Sequence, residues 1–354
     1  MIRICVSCLL VGALLVGCAA GQYARGEAEG AAVSPRLSPT DESKEQVRSL
    51  ERTVALLRSE VADLGERMKR MQVRAPLTAY RLPEVVSLCG EKVPVEDRKV
   101  WENLDQEFLL TVGSEAQVLL WMKRGRRYFP HIEKRLKALA LPEDLKYVTI
   151  TESSLRPYAV SGSGAAGIWQ FIPATGEKYG MRGSGGIDER FDFFKATDGA
   201  LTYLKSLYDE FRSWPLALAA YNAGENRIRK EIAAQRTRDY YHLDLPLETE
   251  RYVYKITAAK IILADPERYG YSLDERDRYE PLQIDRVQIE VPVALPIVDV
   301  ASAMGLYYKE IREMNPHFSG ESIPAGIHFL NLPFGSSGGF WTFFNNWRKE
   351  RNFQ

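Results

Sequence analysis

The side chains most suited to catalysis lie between residues 144 and 170. Glu152 follows an apolar run containing Val148 and Ile150, and a glycine-rich segment with Trp169 comes after it. A carboxyl group placed among apolar side chains loses solvation of its charged form, so its pKa rises. A carboxylic acid whose pKa is about 6–7 can donate a proton near neutral pH. We therefore predict that Glu152 is a general acid; the alternative is a solvated glutamate at a helix end.

The elements that position Glu152 are predicted to be helices. Pro142, Glu143 and Asp144 have the composition of a first helical turn, with proline at N1 and acidic residues near the positive end of the dipole. Glu152 then falls near the C-terminus of a helix of about ten residues, where the helix dipole also favours the protonated carboxyl. Apolar spacing predicts further helices over 196–212, 215–220 and 251–264.

Four sequence motifs occur in a fixed order from residue 152 onward. They are Glu152-Ser153-Ser154-Leu155 with Ala159; Gly164-Ala165-Ala166-Gly167-Ile168-Trp169-Gln170-Phe171 followed by Pro173-Ala174-Thr175-Gly176; Ala219-Ala220-Tyr221-Asn222-Ala223-Gly224; and Glu248-Thr249 with Tyr252-Val253. This arrangement resembles the goose-type-lysozyme-like catalytic domain of lytic transglycosylases over residues 141–271. The resemblance implies a mainly α fold and an enzyme, without a cofactor, that cleaves the MurNAc–GlcNAc β-1,4 bond of peptidoglycan.

The resemblance also implies an unusual division of catalytic work. Most glycosidases use two carboxyl groups, but we find no second carboxylate with a catalytic role in these motifs. Asp188 and Asp192 are the nearest candidates, and the resemblance makes them structural, near the start of the next helix. In the family, Glu152 is acid and then base, and the muramic acid 6-hydroxyl attacks its own anomeric carbon, which leaves a 1,6-anhydro sugar. Two other functions remain open: a hydrolytic muramidase and an inactive wall-binding scaffold.

Five further residues are predicted to bind substrate or to orient the acid. By resemblance, Ser153 hydrogen-bonds within the site and helps to orient Glu152 or the substrate; the alternative is a polar residue at a helix C-terminus. Gln170 offers donors and an acceptor to acetamido groups. Asn222 is expected to hold an acetamido group or a transition-state oxygen. Tyr221 either packs the floor of the site or bonds Glu152, and Tyr252 donates to Glu152 or to the glycan. Core packing is the alternative for the last three.

The N-terminus is predicted to be a lipoprotein signal. Residues 1–17 contain Arg3 and an apolar run too short for a comfortable membrane span, and they end directly before Cys18. The ending resembles a lipobox, which implies lipidation of Cys18, and Ala19 then favours an outer-membrane lipoprotein facing the periplasm. The alternative is an ordinary signal peptide. Residues 18–45 are predicted to be a flexible tether.

Residues 46–72 have the pattern of a coiled coil. Their apolar residues recur at alternating steps of three and four: Val47, Leu50, Val54, Leu57, Val61, Leu64, Met68 and Met71. Valine at one core position and leucine at the other favours a parallel two-stranded coil, so we predict a homodimer. The alternative is a single amphipathic helix on the protein or membrane.

The remaining boundaries follow from composition. Residues 73–96 contain three prolines and are predicted to be a linker, and residues 97–280 the lysozyme-like domain. Residues 285–333 alternate, turn helical and end in a strand, which resembles a small α+β LysM-like glycan-binding module; a structural cap is the alternative. Residues 334–354 form an aromatic and basic tail, for which contact with membrane or sugar, packing, and disorder all remain open.

The net charge and the cysteine and histidine content argue against a nucleic-acid partner and a metal site. Lys plus Arg and Asp plus Glu both number 47, and this zero net charge argues against nucleic acid as a partner. Cys5 and Cys8 lie in the predicted signal segment, the part expected to fold shows no metal-like pair spacing, and the four histidines are scattered, so no metal site is predicted. Cys89 is interpreted as a packed small residue, with a functional thiol as the alternative.

Overall fold

The computed structural model describes residues 41–70 and 75–353 of this chain. The chain is divided into two compact units, one up to Val73 and one from Arg74 onward. The predicted signal segment, Cys18 and the predicted tether up to residue 40 lie outside the described residues. Within the described ranges, none of the helices combines the length and the apolar character that crossing a membrane requires.

The first unit contains one long helix, α1 (Asp41–Arg70). A helix over the heptad segment was predicted, but it begins earlier, so the end of the predicted tether is helical. All side chains from 44 to 65 are exposed. The six described heptad positions are 44–67 % exposed: Val47, Leu50, Val54, Leu57, Val61 and Leu64. Pairing of two copies through this apolar stripe stays a prediction.

The second unit is mainly helical from Asp97 to Ala264, as predicted. Asp97 begins the first helix by accepting hydrogen bonds from the backbone N–H groups of Lys99 and Val100. The α-helices of this part are α2 (Arg98–Gly113), α3 (Glu115–Ala138), α4 (Val148–Ser153), α5 (Pro173–Lys178), α6 (Phe193–Phe211), α7 (Trp214–Ala223), α8 (Glu225–Gln235) and α9 (Leu247–Ala264).

The described residues of the predicted linker over 73–96, from residue 75 on, instead contribute to the main core. Strands β1 (Val86–Leu88) and β2 (Glu91–Val93) form an antiparallel hairpin. Cys89 and Gly90 make its two-residue turn with φ values of 52° and 83°, a conformation that suits glycine and the right-handed twist of the strands. Val86, Leu88 and Val93 are buried in the core, and apolar side chains fixed in this way cannot serve as a linker. Cys89 is buried, and burial raises the pKa of its thiol.

Helices α7 and α9 lie at the centre of the main core. Every α7 residue from Trp214 to Ala220 is buried, as expected for a helix that is apolar on all sides. Helix α9 packs against α2, α4 and α7. The start of α9, the end of α7 and the end of α4 therefore meet, and the predicted site residues lie at these helix ends.

A second hydrophobic core is formed by Ile187 together with residues from Ile289 to Trp347. Strands β3 (Ile284–Val291) and β6 (Gly326–Pro333) pair antiparallel, with Ile284 opposite Pro333. Between them lie the short pair β4 (Leu295–Pro296) and β5 (Ser322–Ile323), and helices α10 (Ile297–Ala303) and α11 (Tyr308–Met314). The observed α+β content agrees with the prediction, whereas glycan binding by this module stays a prediction.

The predicted tail is an element of the same module. Helix α12 (Ser337–Glu350) follows β6, and its buried side chains Phe340, Phe344 and Trp347 belong to the second core. These rings stack at centroid distances of 5.5 and 5.9 Å. Of the three interpretations, packing describes these residues, and the module extends beyond residue 333 because its core is incomplete without them.

Candidate active site

A sharp reversal of the chain ends the helical segment that carries Glu152. A 3₁₀ helix over Glu143–Tyr147 leads into α4, so the segment has about the predicted length. Ser154 and Leu155 then adopt left-handed φ values of 54° and 58°. Their backbone N–H groups donate to carbonyl groups of the preceding helical turn. Non-glycine residues in this conformation are uncommon and cost about 1–3 kcal/mol each, so the surrounding structure holds this turn in place.

Glu152 is half-buried at the end of α4. Loss of solvent raises the pKa of its carboxyl from 4.5 to about 7, and the nearby charge of Glu248 acts in the same direction. The Tyr252 hydroxyl and the ammonium group of Lys255 oppose this shift of the Glu152 pKa. Desolvation is the largest cause, as predicted from the apolar residues around Glu152 in the sequence. A carboxyl with this pKa is protonated in a large fraction of molecules near neutral pH.

Tyr252 and Tyr221 take different positions around the carboxyl. The Tyr252 hydroxyl donates directly to Oε1 of Glu152, and its side chain is 3 % exposed. It is therefore a partner of the acid rather than of a glycan. The Tyr221 hydroxyl donates to the Trp169 carbonyl (2.8 Å), and the Tyr221 ring packs 5.3 Å from that of Tyr203. The Tyr221 hydroxyl is thus bonded to the backbone, and whether Tyr221 packs the floor of the site or bonds Glu152 stays a prediction.

Ser153 holds two parts of the site together through its buried hydroxyl group. Its side chain is 3 % exposed, and its hydroxyl is 2.8 Å from the Ile168 carbonyl and 3.2 Å from that of Thr149. Ser153 was grouped with the substrate-binding residues as one that hydrogen-bonds within the site; its hydroxyl group is buried and bonded to these carbonyls, and its role towards Glu152 or the substrate stays a prediction. Ser153 fixes the end of α4 against the glycine-rich segment.

Gln170 lies at the end of that segment with a φ of 51°. Both of its amide hydrogens are used by the protein: Nε2 donates to the carbonyls of Gly167 (2.7 Å) and Ala159 (3.1 Å). Its Oε1 has no hydrogen-bond donor among the residues that the structure describes. The half-buried Gln170 side chain therefore offers an acceptor to a ligand. It was predicted to offer donors as well, but both of its amide hydrogens are already bonded within the protein.

Arg190 holds the same glycine-rich segment through its guanidinium group. Its guanidinium donates to the carbonyls of Gly164 (2.7 Å) and Phe171 (2.9 Å) and pairs with Asp188 at 2.7 Å. Gly167 lies against the Arg190 backbone with a φ of 79°, and a Cβ there would come within 2.1 Å of the Arg190 carbonyl oxygen. The glycine at 167 is therefore required by close packing as well as by its backbone conformation.

Asn222 connects the end of α7 to the start of α9. Its Oδ1 accepts from the Thr249 hydroxyl (2.8 Å), and its Nδ2 donates to Oε1 of Glu248 (3.3 Å). One Nδ2 hydrogen and the half-exposed edge of the amide remain for a ligand. Glu248 is the residue that sequence reasoning passed over: it belongs to the fourth motif but was given no catalytic role, although its charge raises the pKa of Glu152.

The two aspartates considered as alternative acids have structural contacts. Asp192 is 2 % exposed, accepts from the backbone N–H groups at the start of α6, and pairs with Arg286 at 2.8 Å. Asp188 pairs with Arg190. This agrees with the structural role implied by the resemblance. In the described part of the chain, no group of three or more His, Cys, Asp and Glu residues is arranged to hold a metal ion.

Comparison with known proteins gives one family match. Residues 130–243 match the transglycosylase SLT domain. The first three motifs lie within the match, and the fourth, with Glu248 and Tyr252, lies after its end.

Several known proteins are similar to this chain. Membrane-bound lytic murein transglycosylase D of Escherichia coli K12 is 35 % identical over 216 residues, which cover 59 % of this chain and 47 % of that protein. Membrane-bound lytic murein transglycosylase C of Serratia proteamaculans is 32 % identical over 131 residues, covering 33 % of this chain and 36 % of that protein. The match thus spans about half the length of the first relative.

Solved structures show a more distant similarity. A lytic transglycosylase Slt from Pseudomonas aeruginosa, solved as an inactive mutant, is 22 % identical with a TM-score of 0.31, covering 43 % of this chain and 26 % of that one. The 70 kDa soluble lytic transglycosylase in complex with bulgecin A is 21 % identical with a TM-score of 0.29, covering 50 % and 25 %.

Proposed function

We propose that this chain is a peptidoglycan lytic transglycosylase that cleaves the MurNAc–GlcNAc β-1,4 bond and leaves 1,6-anhydro-MurNAc ends. The observation that carries the proposal is the half-buried Glu152, whose pKa of about 7 suits a general acid and whose Oε1 is held by Tyr252. The SLT domain match and a relative named for murein support the substrate class.

The reaction needs only one titrating group. Protonated Glu152 donates its proton to the glycosidic oxygen as the bond from that oxygen to the muramyl anomeric carbon breaks. The muramyl 6-hydroxyl then attacks the same carbon, and the Glu152 carboxylate accepts the hydroxyl proton. The carboxyl is regenerated and no water is consumed. The attacking hydroxyl belongs to the substrate, and a well-aligned intramolecular attack lowers the barrier by up to about 7–11 kcal/mol.

The other site residues have separate roles in this proposal. Gln170 Oε1 and the remaining Nδ2 hydrogen of Asn222 bind acetamido groups of the glycan, since an acetamido group offers one donor and one acceptor. Tyr252 orients the acid. Ser153 and Tyr221 are positioning residues that hold the backbone of Ile168 and Trp169.

Hydrolysis is a second candidate function, because Glu248 provides another carboxylate near the acid. A glycosidase that inverts configuration uses a second carboxylate to activate water, and the charge of Glu248 reaches Glu152. Glu248 is, however, already hydrogen-bonded to Asn222, which supports a role in the surroundings of Glu152 instead. An inactive wall-binding scaffold is disfavoured by the intact Glu152–Tyr252 pair.

Mass spectrometry of digested sacculi separates these functions. A transglycosylase releases muropeptides with anhydro ends, which are one water lighter than the products of hydrolysis. We expect anhydro ends from the wild type and no soluble muropeptides from Glu152→Gln, which still binds glycan. Reducing ends in the wild-type digest would instead support the muramidase, and full turnover by Glu152→Gln would refute the assignment of the acid.

We further propose that the protein is an outer-membrane lipoprotein anchored through Cys18 and facing the periplasm. The lipobox-like ending of the signal segment supports this, as does the relative named as membrane-bound. Metabolic labelling with a fatty acid tests it: the wild type is expected to incorporate label, and Cys18→Ala is expected to lose it.

The exposed stripe of α1 supports a homodimer, and the module after Ile284 is proposed to bind glycan. Light scattering of the chain with and without residues 46–72 tests the dimer; equal monomer masses exclude it. Binding of purified sacculi by the chain with and without residues 285–353 tests the module.

A further inference from the structure

A cavity of about 400 Å³ is lined in part by the turn that follows Glu152. Its size is in the range of small-ligand sites. Six of its lining residues are cationic or aromatic: Arg124, Arg127, Arg156, Tyr128, Tyr158 and Tyr279. Helix α3, the turn after α4 and the segment after α9 each contribute, so only the folded chain assembles it.

The three guanidinium groups of this cavity have no carboxylate partner in the described part of the chain. Arg124 donates to the Ser154 carbonyl (3.0 Å) and Arg156 to that of Ser153 (3.0 Å). Arg127 donates to the backbone carbonyl of Glu280 at 3.3 Å.

Charged side chains next to the cavity, unlike these three arginines, form ion pairs. Arg126, next to Arg127 on α3, pairs with Glu275, and Glu313, beside Tyr158, pairs with Lys309. Each guanidinium of the cavity keeps several N–H donors for an acceptor-rich ligand. Unpaired arginines arranged around one concave site are typical of carboxylate or phosphate recognition.

Aromatic rings complete the walls of the cavity. The guanidinium of Arg127 lies 5.1 Å from the centre of the Tyr279 ring, and the Lys123 ammonium lies 5.9 Å from it. Tyr158 is 52 % exposed. A ligand that combines carboxylates with apolar side chains, such as a short acidic peptide, matches these walls better than a sugar, which carries no charge for three arginines.

The cavity shares its wall with the candidate active site. Arg124 and Arg156 hold the two carbonyls that directly follow Glu152, and Ala159 lines the cavity while its carbonyl accepts from Gln170. Consecutive Cα atoms are about 3.8 Å apart, so the Cα of Arg156 lies at most about 15 Å from that of Glu152. An extended tetrapeptide spans about 13–14 Å.

We propose that this cavity binds a carboxylate of the stem peptide attached to the muramic acid of the substrate. This inference rests on the proposed function, because it takes the glycan at Glu152 to be peptidoglycan. Binding there places the peptide against the turn that carries the acid, so the enzyme prefers glycan strands that bear peptides.

Direct binding tests the proposal separately from catalysis. The full chain is titrated calorimetrically with the free tetrapeptide L-Ala-γ-D-Glu-diaminopimelate-D-Ala, with the same peptide amidated at its carboxylates, and with citrate. We expect the free peptide to bind, and both the amidated peptide and Arg127→Gln to weaken binding about tenfold, because a charge-assisted hydrogen bond is lost. Arg127→Lys is expected to restore part of the affinity, and Arg126→Gln is the matched control that leaves it unchanged.

Kinetics on two substrates complete the test. We expect Arg127→Gln to raise KM about tenfold on peptide-bearing strands and to leave turnover of strands stripped of peptide unchanged. Absence of peptide binding, equal binding of the amidated peptide or citrate, or equal losses on both substrates would overturn the proposal. If the wild type cleaves neither substrate, the proposed function fails, while the titration still decides whether the cavity binds carboxylates.

Discussion

The hydroxyl group of Tyr252 donates a hydrogen bond to Oε1 of Glu152, although the two residues are 100 positions apart in the sequence. Tyr252 is almost fully buried on α9, and Glu152 is half-buried at the end of α4. The bond favours the carboxylate, whereas burial favours the carboxylic acid, and burial prevails with a pKa of about 7. This balance gives predictions about the pH dependence of activity.

Removal of the Tyr252 hydroxyl is expected to raise the Glu152 pKa further. In Tyr252→Phe the carboxylate loses a hydrogen bond that stabilised it, so the acid stays protonated to higher pH. The alkaline limb of the profile of kcat against pH should move up by about one unit, with activity at the optimum about tenfold lower because the acid is less well oriented. An alkaline limb that stays in place, or moves to lower pH, would contradict the role assigned to this bond.

Neutralising Glu248 is expected to act in the opposite direction. Its negative charge raises the pKa of Glu152, so Glu248→Gln should lower that pKa and move the alkaline limb to lower pH. Glu250→Gln changes a carboxyl in the same turn of α9 that has no such effect on Glu152, and it serves as the control. Glu248→Gln is expected still to release anhydro products. If it releases no product while the pKa of Glu152 is unchanged, Glu248 has a direct catalytic role.

Replacement of the acid should stabilise the fold at alkaline pH. The folded-state pKa of Glu152, about 7, lies above the ordinary 4.5, so the folded state holds its proton longer than the unfolded state. The stability that this proton provides is fully present below about pH 4.5 and is lost as the pH rises through 7. Relative to the wild type, Glu152→Gln should gain up to about 3 kcal/mol of unfolding free energy between pH 4.5 and 8. Urea unfolding at both pH values measures the gain, and a constant difference would exclude the raised pKa.

Two glycines with the same φ value should respond differently to replacement by alanine. Gly164 and Gly167 both have a φ of 79°, but only at Gly167 would a Cβ meet the Arg190 carbonyl oxygen, at 2.1 Å. Gly164→Ala should cost about 1–2 kcal/mol from backbone strain alone. Gly167→Ala should cost about 2–3 kcal/mol more, because the segment must move away from Arg190. Thermal unfolding compares the two, and equal Tm values would show that the close approach to Arg190 has no energetic weight.

The sequence by itself determined the local features of this protein. Periodicity predicted helices over 196–212 and 251–264, where the structure has α6 over Phe193–Phe211 and α9 over Leu247–Ala264. It also placed Glu152 at a helix end among apolar residues and predicted a raised pKa. These features depend on residues within a few turns of one another, and such short-range order is encoded by neighbouring side chains.

Only the tertiary structure decided which side chains meet. The spacing of Tyr252 and Ser153 did not reveal that one bonds the acid while the other is buried against a backbone carbonyl. Likewise, the prolines of 73–96 suggested a linker, although its hairpin packs into the main core, and the aromatic residues after 334 complete the second core. Periodicity shows which face of an element is apolar but not which element covers it, because that depends on how distant helices and strands pack. The effect of Glu248 on the acid and the arginine-lined cavity arise in the same way, from segments brought together only by folding.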